Sequence, residues 1–101
     1  MKVYVSGPMT GYPDFNIPAF NAAAAHLRAL GYEVLNPVDG GADEAKSWSD
    51  YLRDDIVLIA QSDAIAVLPG WEMSRGARLE VHIAHQLGMT VLPLDRWEAT
   101  S

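Results

Sequence analysis

The chain has 101 residues, half of them hydrophobic and a fifth charged, with a formal net charge of −6 and no cysteine. That length suits one domain over residues 1–101 with one core, and the missing cysteines exclude a disulfide framework and a thiolate metal site. Seven scattered Lys and Arg argue against a nucleic-acid polymer as partner, and no cleavable signal or run of about 20 apolar residues is present, so a cytoplasmic protein with no membrane partner is expected.

Lys2-Val3-Tyr4-Val5-Ser6 is a β-rich run that breaks at Gly7-Pro8-Met9-Thr10-Gly11, a strand feeding a loop that continues through Tyr12 to Asn16. Pro18 opens a helix at its first turn, Phe20, Ala24, Leu27 and Leu30 make its buried stripe, and Gly31 stops it. Tyr32 to Leu35 reads as a second strand. The polar stretch from Asp39 to Lys46, with glycines at 40 and 41, reads as a mobile loop, and a second helix follows from about Ser47 to Gln61. Asp63 to Leu68 is a near-continuous apolar strand. A glycine loop, Leu68-Pro69-Gly70-Trp71, leads to a third helix predicted from Gly76 to Leu87, and Thr90-Val91-Leu92 follows as a last strand.

Such apolar strands belong to parallel sheets covered on both faces. The order β-α-β-α-β-α-β therefore predicts a small, doubly wound, Rossmann-like α/β fold with strand order 2-1-3-4 and helices on both faces. In that arrangement ligands bind beyond the carboxyl ends of strands one and three, where the two glycine loops leave. No GxGxxG motif and no Walker lysine follows the first strand, which argues against a dinucleotide or ATP.

Two acids break the helical pattern. At about 100° per residue Gly76, Glu80, Ile83, Ala84 and Leu87 share one face of the third helix, so Glu80 sits among apolar residues while Arg78, His82 and His85 project oppositely. A carboxylate there is costly unless paired or solvated; either it holds a buried neighbour or it works in a site. On the second helix Trp48, Leu52, Asp55, Ile56 and Ile59 fall together, which selects Asp55 over Asp54; its alternative is to cap a turn or pair with Arg53. Two carboxylates facing the sheet from adjacent helices are the minimum equipment for breaking a glycosidic bond, one at the sugar carbon and one at the leaving group. Tyr4, at the sheet's centre, either holds a carboxylate with its hydroxyl or is a core aromatic.

On Tyr4-Val5-Ser6-Gly7-Pro8-Met9-Thr10-Gly11, Asp55, Asp63 and Ser74-Arg75-Gly76 with Glu80, the chain resembles the nucleoside 2-deoxyribosyltransferase superfamily from Lys2 to Leu92. It is most similar to a short phage and actinobacterial branch filed as a domain of unknown function. The resemblance implies Glu80 as a nucleophile that forms a deoxyribosyl-enzyme intermediate, Tyr4 in contact with it, and Asp55 assisting at base or sugar. It also implies a substrate site that includes Gly7, Met9 and Gly11, with Ser74 and Gly76 where nucleotide-hydrolysing relatives bind a 5′-phosphate. Thr10 replaces the arginine those relatives carry, with Arg75 as its substitute, and Leu68-Pro69-Gly70-Trp71 departs from their usual acid or small polar residue.

The expected activity is cleavage of the N-glycosidic bond of a 2′-deoxynucleoside or its 5′-monophosphate, by hydrolysis or transfer, with no cofactor and no metal. The alternative is a nucleotide-binding module without turnover. Trp71 either stacks on a base or covers the sheet's edge; His82 and His85 lack a third ligand in register for zinc. Met73 is expected in the core or a pocket wall, and the tail with Asp95 and Trp97 is expected to dock on a neighbouring subunit. Trp48 and Tyr51, on a helix that one small sheet hardly covers, predict a homodimer or higher homo-oligomer, as does the resemblance.

Overall fold

The computed structural model describes residues 1–39 and 45–100, so most of the loop expected over 39–46 lies outside the described residues. Strands β1 (Lys2–Ser6), β2 (Glu33–Leu35), β3 (Ala64–Val67) and β4 (Thr90–Pro93) alternate with helices α1 (Ile17–Ala29), α2 (Trp48–Ala60) and α3 (Arg75–Gln86). The sheet is parallel throughout with order β2-β1-β3-β4, as expected. Val3 pairs with both Val34 and Ala64, which makes β1 and β3 the central strands.

Helices cover both faces, so β1 from Val3 to Ser6 and all of β3 are buried. Val3, Val5, Ala64 and Ala66 meet Phe20, Ala23, Ala24 and Leu27 of α1 on one face. On the other, Tyr4, Ile65 and Val67 meet Ile59 of α2 with Val81 and Ala84 of α3. This period-two split of β1 decides which of its side chains reach the carboxylates.

The helix ends follow local chemistry. Ser47 caps α2 through a reciprocal capping box with Asp50, and α1 ends before Gly31, whose φ of 104° suits only a residue without Cβ. Ile59 is the one fully buried residue of α2, the least covered helix of the three. Asp63 accepts the Lys2 amide at 2.8 Å and donates its own amide to the Lys2 carbonyl at 2.8 Å. It thus pins β1 to β3 at the amino edge of the sheet, away from the glycine loops.

The tail corrects one expectation. Trp97 is 8% exposed and fills the α1 side of the chain's own core. It stands edge-on to Tyr32 at 5.2 Å and donates from Nε1 to the Leu92 carbonyl at 3.2 Å. The turn Leu94–Arg96 swings the ring back over the end of β4, where it finds cover without a second subunit. Among the described residues no helix is long and apolar enough to cross a membrane.

Candidate active site

The chain leaves β1 at Gly7 and β3 at Leu68, and these exits touch: a Cβ on Gly7 would stand 2.7 Å from the Leu68 Cβ. Gly70, at φ 87°, gives way to the Tyr12 hydroxyl, which would lie 2.7 Å from any side chain there. Close approach of the two loops opens a cavity of about 800 Å³ at the carboxyl edge, with Tyr4, Asp55 and Glu80 in its lining.

Glu80 is 6% exposed. Its Oε1 accepts from the Ser6 hydroxyl at 2.7 Å and its Oε2 from the Tyr4 hydroxyl at 3.2 Å. Tyr4 and Ser6 stand two apart on β1 and so face the same side, toward α3. Asp55, half-buried on α2, faces the group in the lining of the same cavity, near enough that its charge raises both Glu80 and Tyr4. Tyr4, Ser6 and Glu80 thus form one buried hydrogen-bonded network, with half-buried Asp55 of α2 beside it.

Its electrostatics follow from burial. Desolvation first, then the charge of Asp55, raises the Glu80 carboxyl to about 8, against the pull of the Ser6 and Tyr4 hydroxyls. Asp55 rises to about 6, again by desolvation first, opposed by its interaction with Glu80 and assisted by the charge of Asp54. Burial and both carboxylates raise Tyr4 well above its usual value, which keeps it a neutral donor. Near neutral pH the two carboxyls therefore hold one proton between them, as a pair too close to ionise together.

Of the residues singled out in the sequence, Tyr4, Asp55 and Glu80 meet, and Gly7, Met9, Ser74, Arg75 and Gly76 line the same cavity. Ser74 caps α3, its hydroxyl accepting the Ala77 amide at 3.2 Å, which leaves the Arg75 and Gly76 amides at the open end of the helix. The Arg75 guanidinium rests over the Trp48 ring at 4.2 Å. Gly11 and Trp71 stand outside the cavity lining. A one-turn 3-10 helix, Trp71–Met73, follows β3 and turns the Trp71 ring onto the second core layer, so it covers the sheet. The same turn throws Met73 outward to the cavity rim, 89% exposed. His26, His82 and His85 lie on exposed helix surfaces, and the described residues contain no group of three metal-ligating side chains. Ser6 is the site residue that sequence reasoning misses, although strand alternation from Tyr4 points to it.

The chain belongs to the family described as a domain of unknown function, DUF4406, whose model matches residues 1–93. No curated protein matches it. Among solved structures it is similar to the 2-deoxyribosyltransferase of the psychrotolerant bacterium Bacillus psychrosaccharolyticus, at 21% identity and a TM-score of 0.71 over 91% of this chain and 71% of that one. It is also similar to a 2-deoxyribosyltransferase of Leishmania mexicana, at 24% identity and a TM-score of 0.70, covering 91% of this chain but only 62% of the Leishmania chain. At these identities the likeness is one of fold.

Proposed function

We propose that this DUF4406 member breaks the N-glycosidic bond of a 2′-deoxynucleoside or its 5′-monophosphate, with Glu80 as nucleophile. The observation that carries the reading is Glu80, buried in the cavity wall on the Tyr4 and Ser6 hydroxyls, with a second carboxyl, Asp55, in the same lining. The reaction named for the fold's structural neighbours, transfer of a 2-deoxyribosyl group, supports a deoxyribosyl substrate.

In the reactive arrangement the shared proton sits on Asp55 and Glu80 is the carboxylate. A Glu80 oxygen attacks C1′, the C1′–N bond breaks, and its electron pair leaves with the base, which takes the Asp55 proton. Asp55, now ionised, accepts a proton from water or from a second base as that acceptor displaces Glu80 from C1′. Tyr4 and Ser6 hold the attacking carboxylate and disperse its charge. A 5′-phosphate would sit at the open amides of α3 beneath Arg75. Loss of that guanidinium in Arg75→Ala should then weaken nucleotide cleavage selectively over nucleoside cleavage. Active protein should be a homodimer or larger, because α2 leaves Trp48 at 42% and Val57 at 56% exposure; light scattering at 11.0 kDa would refute this.

The test is incubation with a panel of 2′-deoxynucleosides and their monophosphates, with chromatography for released base and intact-mass analysis for a deoxyribosyl adduct on Glu80. Glu80→Ala should lower turnover by several orders of magnitude and still bind. The second reading is a nucleotide-binding module without turnover. Binding without base release across the panel would select it.

A further inference from the structure

Between β1 and α1 the backbone makes a left-handed turn at three successive residues, none of them glycine: Asp14 at φ 52°, Phe15 at φ 54° and Asn16 at φ 62°. Aspartate and asparagine visit this region readily, whereas a phenylalanine does so at a steric cost. Two hydrogen bonds hold the turn. The Phe15 amide donates to the Tyr12 carbonyl at 3.0 Å and the Asn16 side-chain amide to the Pro8 carbonyl at 2.9 Å.

Packing does not repay the strain at the centre of this turn. Phe15 is 58% exposed, belongs to neither apolar layer, and lines the cavity that contains Glu80. The other exposed rings at the mouth are engaged: Trp48 carries the Arg75 guanidinium, and the Tyr12 hydroxyl lies where a Gly70 side chain would begin. Backbone strain that the protein's own contacts do not reward is characteristic of ligand clamps. A bare aromatic face beside a site for N-glycosides suits a planar heterocycle, since every base offers a π-face.

We propose that Phe15, held over the cavity by this left-handed turn, is the stacking residue for the aromatic base of the substrate. The assignment deepens the catalytic reading above and rests on it for the class of ligand. The stacking role expected for Trp71 thereby passes from the loop after β3 to the loop after β1.

Binding isolates the role from chemistry. Affinities of the four 2′-deoxynucleosides and their free bases are measured by calorimetry in the Glu80→Ala background, with Phe15 intact or replaced. Phe15→Ala should weaken the preferred nucleoside and its free base about 10- to 100-fold. Phe15→Tyr should restore most of the loss, while Phe15→Leu, which fills similar volume without a π-face, should not. Phe15→Gly should bind as weakly as Phe15→Ala while its Tm holds or rises, because glycine adopts this φ freely. Unchanged affinity in Phe15→Ala, rescue by leucine as good as by tyrosine, or a lower Tm in Phe15→Gly would each overturn the proposal. If the wild type releases no base yet binds nucleosides in a Phe15-dependent manner, the catalytic reading falls and this one stands. Base release with Phe15-independent affinity overturns the stacking assignment and leaves the catalytic reading in place.

Discussion

Glu80→Gln removes the titration of the most buried acid while it keeps the side chain's shape and an oxygen for the Tyr4 and Ser6 hydroxyls. In the wild type this carboxyl rises from 4.5 to about 8 on folding, so between those values the folded chain keeps a proton that the unfolded chain has lost. The sign is therefore fixed: the stabilisation is fully present below pH 4.5 and is lost as pH climbs toward 8. At about 1.4 kcal/mol per pH unit the ceiling is ~5 kcal/mol, a large share of the ~5–15 kcal/mol typical of a domain. Asp55 adds loss of the same sign between 3.8 and about 6, diminished by solvent at its open side. Unfolding by heat or urea at pH 5, 6, 7 and 8 should show the wild type losing on the order of 10 °C in Tm, with Glu80→Gln much flatter over the same range. Parallel curves for the two proteins, or a flat wild type, would refute the claim that Glu80 keeps a buried proton.

Ser6→Ala deletes the 2.7 Å bond that lowers the proton affinity of Glu80. The ascending limb of the pH–rate profile should move to higher pH, with a stability loss of about 1 kcal/mol. Asp55→Asn should stay folded by circular dichroism and lose base release. Because the Asp55 charge raises Glu80, the Glu80 titration followed by NMR should fall toward lower pH in that variant. Trp97→Ala should cost roughly 3–5 kcal/mol in urea unfolding, as expected for an aromatic ring removed from a core; a surface-like loss below about 1 kcal/mol would deny the tail its packing role.

What can be read from the sequence depends on periodicity. Strand order follows from alternating apolar runs and helical stripes, and the helical wheel separates Glu80 from its exposed neighbours and Asp55 from Asp54. Ser6 escapes notice because a serine ending a strand looks unremarkable until the glutamate opposite is placed; only then does its two-residue spacing from Tyr4 matter. Trp71 and Met73 each keep two alternatives from sequence, since a single 3-10 turn, too short to leave a period, decides which of them faces the core and which the cavity. Nothing local announces the left-handed turn at Asp14–Asn16, which contains no glycine. Burial of Trp97 depends on Tyr32 and α1, far away in sequence, so tail composition alone points outward.

The hydrogen bonds from Tyr4 and Ser6 to Glu80 span 76 and 74 residues, about three quarters of the 101-residue chain. Contacts so distant along the sequence form late, because loop closure must precede any reward from them, and parallel strands admit no short hairpin on which to nucleate. During synthesis β1 emerges first but finds its central partner β3 only after α1, β2 and α2 have followed, and Glu80 arrives later still. A growing or prematurely terminated chain thus carries the two hydroxyls with no carboxylate to hold. The buried carboxylate network is thereby withheld until the sheet that confines it is nearly complete.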